Sequence, residues 1–283
     1  MDTSLCAVVL YYVMNTVLFV LLFISVSVVT LILLAIAFVY GYAQVVMWKR
    51  PIMRFYEERS SQKDYCPYEQ IPKKMAEYVV TIEDDRFFDH KGFRYDSIRY
   101  AYKRNRKEKK IIAGGSTITQ QLAKNMYFHF RRSYFRKIIE LVIAIRIEHT
   151  LSKEKILELY LNIIYFGNGQ YGICDAAEFY FDNDVRSLSI NQIFILACII
   201  AAPTASNPIQ HPDVFWRIRN QWLSVKKNGY FFVPAEDAAV IRENSIERID
   251  PKLKVNDEYT IHFPETIPMI NERFGPPYDR SGV

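Results

Sequence analysis

The chain has 283 residues, half of them hydrophobic, with 36 Lys and Arg against 31 Asp and Glu for a formal charge of +5. That content suffices for a packed core and excludes a disordered or low-complexity chain. Four cysteines, Cys6, Cys66, Cys174 and Cys198, show neither metal-ligand spacing nor a dense disulfide framework.

The first element is apolar. No charged residue occurs between Ala7 and Trp48, and this run exceeds the roughly 20 residues that cross a bilayer. Core helices seldom run so long without charge. A cleaved signal peptide has an apolar region of only ~7–15 residues behind a basic stretch. Residues 1–48 therefore read as a transmembrane anchor. Its length admits one tilted span with an interfacial extension or two short spans in a hairpin, since Asn15, Ser25, Ser27 and Thr30 interrupt the run without dividing it. Asp2 precedes the anchor while Lys49, Arg50, Arg54 and Arg59 follow it. The positive-inside rule on its own places the remainder in the cytoplasm.

Residues 49–70 are polar and irregular and read as a juxtamembrane linker. From Ile71 the pattern turns helical and mainly α. Met75, Val79 and Ile82 recur at helical spacing after Pro72, which suits a first helical turn. The run Lys103-Arg104-Asn105-Arg106-Lys107-Glu108-Lys109-Lys110 is the densest basic segment. Beside an anchor, anionic head groups or a phosphate-bearing lipid suit it better than nucleic acid. Thr117 and Gln120 form a capping box that opens a helix with Ile118, Leu122 and Met126 on its apolar side. A helix over 133–149 is expected to turn Phe135, Ile138, Val142 and Ile145 inward. Ser152 caps the next helix, through Leu157 and Leu161 to Gly167-Asn168-Gly169, and Ser189 caps another that stops before Pro203. Residues 71–230 form the expected domain. The extension 231–283, with weak strand-like runs such as 259–263, is assigned no fold.

Four segments carry candidate chemistry. Glu83-Asp84-Asp85, followed by His90, suits a metal site, a general base or a polar helix end. Gly114-Gly115-Ser116 opens a helix whose Thr117, Gln121 and Lys124 fall at i, i+4 and i+7, a face of donors and positive charge suited to phosphate or pyrophosphate; the P-loop spacing is absent. Glu140 lies in an apolar run with Arg136 and Lys137 one turn earlier, as a compensated or tuned carboxylate would, or as a structural ion pair. The segment 153–172 reads as scaffold.

Each segment alone is weak, but their order is specific. Together they resemble the peptidoglycan glycosyltransferase family (glycosyltransferase family 51), the transglycosylase module of penicillin-binding proteins and its monofunctional biosynthetic relatives. Glu83, Asp84, Phe87, His90 and Gly92 match its E-D-x-x-F-x-x-H-x-G motif, and Gly114 to Asn125 match G-G-S-T-I-T-Q-Q-x-x-K-N in full. Arg136, Lys137 and Glu140 match R-K-x-x-E. Ile156 to Asn162 match I-L-E-x-Y-L-N, and Ala202, Pro203, Asn207 and Pro208 match A-P-x-x-x-N-P. Asp182 departs from the family's glycine.

The resemblance implies a lysozyme-like glycosyltransferase fold with a larger lobe and a smaller membrane-associated lobe behind the anchor. It implies polymerisation of lipid II into β-1,4-linked strands, with inversion and release of undecaprenyl pyrophosphate. Glu83 is then the catalytic base and Glu140 the second carboxylate, assisting the leaving group or orienting its partners. Ser116, Thr117, Gln121, Lys124, Asn125, Arg136 and Lys137 bind pyrophosphate and sugar, supported by Asp84, Phe87, His90 and Gly92. No cofactor is required, although a divalent cation, Mg or Mn, is compatible. The implied partners are lipid II, the growing strand, the membrane, and cell-wall synthesis or division proteins, with no nucleic acid. A single-pass protein of the bacterial cytoplasmic membrane with its catalytic domain outside follows, opposite to the flanking charges. Ser152-x-x-Lys155 and Ser224-x-x-Lys227 lack the Lys-Thr-Gly partner of a transpeptidase, so a monofunctional enzyme is expected. The rival readings are a lysozyme-like lytic hydrolase of glycan strands and a non-catalytic membrane scaffold.

Overall fold

The computed structural model describes residues 3–108, 114–128, 133–204, 207–224, 226–227, 230–231 and 233–243. The first helix, α1 (Thr3–Lys49), runs without a break. With no turn inside it, the hairpin of two short spans falls away, and α1 is long and apolar enough to cross a membrane as one helix. At 47 residues it is about 70 Å long, over twice the ~30 Å hydrocarbon core of a bilayer. Its last turns are a docking element: Ala43 and Met47 are buried, and Phe38 and Tyr42 pack on Phe135 at centroid distances of 6.1 and 5.5 Å.

The expected linker proves to be folded. Residues Ile52–Ser60 form α2, and Ile52, Phe55 and Cys66 enter the main core. The polar pattern conceals this because Arg50 lies over the Phe55 ring at 4.1 Å and Arg59 pairs with Asp64 at 2.7 Å while donating to the Asn162 carbonyl at 2.9 Å. Charged heads thus cover a buried aliphatic face.

The body comprises α3 (Lys73–Glu83), α4 (Tyr95–Glu108), α5 (Ile118–Tyr127), α6 (Tyr134–Thr150), α7 (Lys153–Ile163), α8 (Ile173–Phe181), α9 (Ile190–Ala201) and α10 (Pro212–Ser224). At its centre α9 is buried on nearly every side, with α3 against it, while α5 packs between α6 and α7. The caps act as their sequences require. Ser133, Ser152 and Ser189 each accept the backbone N–H three residues on, and Thr117 and Ser189 complete reciprocal capping boxes.

Two readings of local pattern are corrected. On α6 the buried side is Ile139, Glu140, Ile143, Ala144 and Ile147, whereas Phe135 and Ile138 are exposed. That helix is apolar on two faces, one for the core and one beside α1, so periodicity alone does not set its rotation. The C-terminal boundary also moves. After a two-residue hairpin of β1 (Lys226–Lys227) and β2 (Tyr230–Phe231), α11 (Ala235–Glu243) packs on α9 and buries Ala238 and Ile241. Asp237 fixes it to α3, accepting from Lys74 Nζ at 2.7 Å and the Tyr78 hydroxyl at 2.9 Å. The strand-like run 259–263 lies outside the described residues. Asp182 caps α8 in the left-handed region with φ 50°, which explains how an aspartate takes a glycine's place.

Candidate active site

The first motif sits where α3 ends. Glu83 closes the helix and Asp84, at its C-cap, is buried. Asp84 Oδ2 lies 2.8 Å from His90 Nε2 and accepts the Ile118 N–H at 3.1 Å, and Arg94 Nη1 stands 3.6 Å from Oδ1. Because Gly92 donates its N–H to His90 Nδ1 at 3.1 Å, the histidine proton belongs on Nε2 and is donated to Asp84. Phe87 is fully buried beneath Lys153, whose Nζ lies 4.2 Å from the ring centroid. Asp84, Phe87, His90 and Gly92 therefore form the brace that sets the end of α3 against the start of α5.

That brace revises the reading of the glycine-rich segment. The first N–H groups of α5 are already engaged: Ile118 by Asp84, Gln120 by the Thr117 hydroxyl, while the cap residue's own N–H donates to the side-chain Oε1 of Gln120. Thr117 is buried and its Oγ1 donates to the Gly92 carbonyl at 2.7 Å, so its hydroxyl is already engaged at the cap. Nor does Gly115 clear space for a phosphate. A Cβ there would fall 2.7 Å from the Ser97 carbonyl oxygen, so the glycine admits the α4 backbone.

Two polar clusters flank this helix start. In the first, Gln121 Nε2 donates to Glu83 Oε2 at 2.6 Å, and the Tyr160 hydroxyl donates to Gln121 Oε1 at 3.2 Å. Gln121 thus serves Glu83. In the second, Lys137 Nζ donates to Ser116 Oγ at 2.8 Å and to Glu140 Oε2 at 2.9 Å. Arg136 Nε lies 2.8 Å from Glu140 Oε1, an ion pair at an angle outside hydrogen-bonding geometry. Glu140 is 0% exposed while the Lys137 side chain is 43% exposed. Of the two alternatives for Glu140, the geometry favours orienting a cationic pair over touching a substrate. Lys124 and Asn125 lie half-buried on the last turns of α5, and Asn125 Nδ2 is buried without a hydrogen-bond partner among the described residues.

Sequence reasoning passed over Arg94 and Tyr160. Arg94 ties three acids together, with Asp85 at 2.5 Å and Asp96 at 2.8 Å besides Asp84, and its hydrogen bonds hold the Asp96 carboxyl below the usual carboxylate range. Its signal was position, directly behind the first motif. Tyr160 sits in a segment read as scaffold. Burial, then the charges of Glu83 and Asp84, push its hydroxyl well above the ordinary tyrosine range. With Arg94 and His90 occupying the acids, no group of three or more His, Cys, Asp or Glu side chains among the described residues converges as a metal shell.

The basic run forms the outer side of α4. Arg99, Tyr102, Lys103, Arg106 and Lys107 line an open depression of about 600 Å³ that shares no residue with the Glu83 or Glu140 clusters; Lys109 and Lys110 lie outside the described residues. Tyr95 and Tyr102 are exposed on the same helix.

Residues 49–226 match the family model described as Transglycosylase. The chain is 40% identical over 173 residues to a biosynthetic peptidoglycan transglycosylase of Alcanivorax borkumensis, covering 61% of this chain and 70% of that protein. It is 44% identical over 142 residues to a protein of the same description from Nitrosomonas eutropha, covering 50% and 58% respectively. To penicillin-binding protein 4 of Bacillus subtilis it is 34% identical over 210 residues, 74% of this chain and 32% of that protein. The match spans about a quarter to a third of the penicillin-binding proteins concerned.

Proposed function

The chain belongs to the transglycosylase family, and from that premise we propose that it polymerises a lipid-pyrophosphate-linked disaccharide into glycan strands of peptidoglycan, with Glu83 as general base. The observation that carries the reading is the pairing of Glu83 with Gln121 beside an Arg136–Lys137 pair held by the buried Glu140. One cluster supplies a carboxylate to take a proton, the other a positive surface for a phosphate leaving group.

The chemistry follows. The sugar 4-hydroxyl attacks the donor's anomeric carbon as Glu83 removes its proton, and the bond to the pyrophosphate breaks with inversion. Negative charge grows on the departing pyrophosphate. Arg136, Lys137, Lys124 and Ser116 stabilise it, and Asn125 offers its unpartnered amide nearby. Thr117, Asp84, His90 and Gly92 act from behind as the frame. The mechanism routes no step through a metal. The activity proposed for this chain is glycosyl transfer; the Ser152 hydroxyl of its first Ser-x-x-Lys pair is engaged as the cap of α7.

Replacing Glu83 with Gln is expected to abolish strand formation from lipid-linked disaccharide-pentapeptide while the unfolding temperature stays at the wild-type value. Near-normal turnover would overturn the assignment.

We further propose that the catalytic domain faces outward from the cytoplasmic membrane, with α4 against anionic head groups. The basic residues after the anchor, Lys49, Arg50, Arg54 and Arg59, favour the opposite side by the positive-inside rule, so the outward orientation rests on the family reading and is decided by labelling. Tyr171 is exposed, whereas Cys66 and Cys198 are buried. A Tyr171→Cys variant with Cys6 and Cys174 both replaced by Ala should react with a membrane-impermeant maleimide in intact spheroplasts as fully as after lysis. Reaction only after lysis would refute the orientation.

A further inference from the structure

We propose that Tyr160 is a positioning residue for Glu83, acting through the side chain of Gln121; the inference rests on the reading of Glu83 as the general base. Tyr160 projects from α7 and is fully buried. A buried hydroxyl proton needs an acceptor, and the Tyr160 proton finds the amide oxygen of Gln121 at 3.2 Å. An amide side chain has opposite ends, one accepting and one donating. Fixing its oxygen on Tyr160 leaves its NH₂ directed at Glu83 Oε2, at 2.6 Å. Rotated by half a turn, the amide would set its oxygen against the carboxylate and its NH₂ against the phenol. Tyr160 disfavours that state, and with its ionisation pushed far above the working range its proton stays in place at every pH the enzyme meets.

Two consequences follow for the base. A donor to the ionised carboxylate favours that form, so Glu83 remains ready to accept a proton at lower pH than it otherwise would. The same bond holds its side chain in one rotamer at the mouth of the helix, where proton transfer depends on aim. Charged and titratable groups near it include Asp84 at the next position and Tyr160 from α7, whose hydroxyl feels the charges of both acids; Lys124 follows Gln121 by three residues on α5. Asp84 is engaged by His90 and Arg94. The Gln121 amide is therefore the group through which a neutral side chain on a third helix reaches the base.

The test uses the full chain and lipid-linked disaccharide-pentapeptide across a pH series, comparing Tyr160→Phe, Gln121→Met and the double variant. Loss of one ordinary hydrogen bond predicts a kcat reduced roughly 3- to 10-fold in Tyr160→Phe, with KM little changed. The acid limb of kcat/KM should move up by roughly 0.5 to 1 pH unit, because the Gln121 NH₂ is no longer held on the carboxylate, which then protonates sooner. Gln121→Met should move the limb in the same direction, and the double variant should match Gln121→Met. A Tyr160→Phe enzyme with the wild-type acid limb overturns the proposal. So does a double variant whose loss is the product of the two single losses, since Tyr160 then acts through packing. Should Tyr160→Phe fail to fold, as judged by thermal unfolding, Gln121→Met decides alone, and an unmoved limb is fatal. Glu83→Gln separates the two levels. If it is active, the base assignment and the relay fall together; if it is inert while Tyr160→Phe keeps its pH profile, the relay alone is wrong.

Discussion

The role of Glu140 is decided by Glu140→Gln, which keeps the shape of the side chain and removes its charge. In the wild type the carboxylate is fully buried, with Lys137 Nζ at 2.9 Å and Arg136 Nε at 2.8 Å. Deleting one partner of a buried pair typically costs about 3–5 kcal/mol, because the charge left behind is uncompensated. Lys137 can turn to solvent, so its share falls to below about 1 kcal/mol. Arg136, with only 11% of its side chain exposed, cannot escape so readily. The expected loss is about 2–4 kcal/mol, which for a domain of this size lowers Tm by roughly 5–12 °C. With the two cations released from alignment, KM for the lipid-linked donor should rise roughly tenfold, the worth of one charge-assisted contact, while kcat changes less. Thermal unfolding in detergent and steady-state kinetics measure both. An unchanged Tm with a collapsed kcat and a normal KM would place Glu140 at the reacting atoms and refute the organising role.

Lys124→Ala removes a cation from α5 without disturbing its buried face, so donor binding should weaken by roughly 1.5–3 kcal/mol with Tm unchanged; wild-type affinity in a binding titration would take Lys124 out of the site. Gly167→Ala tests the scaffold instead. At φ 86° a Cβ would stand 2.7 Å from the Pro203 carbonyl oxygen and 2.6 Å from Asn207 Nδ2, and should cost about 2–4 kcal/mol. A Tm drop below about 2 °C would show that the turn yields.

Much of the fold was legible because its signals are local. A charge-free run longer than a bilayer, a Thr117–Gln120 capping box and serines before apolar runs need only neighbours in sequence to act. The order of the five motifs was sufficient to indicate the family, and with it which acids to suspect. What the sequence did not determine was the direction in which each side chain turns. Thr117 and Gln121 share a helical face on paper, yet one is consumed as a cap under Gly92 while the other turns to Glu83. Glu140 carries the same letters whether it meets a sugar or lies sealed beneath Arg136 and Lys137. The apolar α6 gave no phase until α1 took Phe135 on one side and the core took Ile143 on the other. Residues 49–70 looked like a linker until long-range partners such as Asn162, bonded to both the N–H and the carbonyl of Cys66, folded them in. Tyr160 and Arg94 are of the same kind. Capping and hydropathy depend on residues a few positions apart, whereas a buried hydrogen bond depends on which helices meet, and only the assembled packing of α3, α5, α6 and α7 determines that.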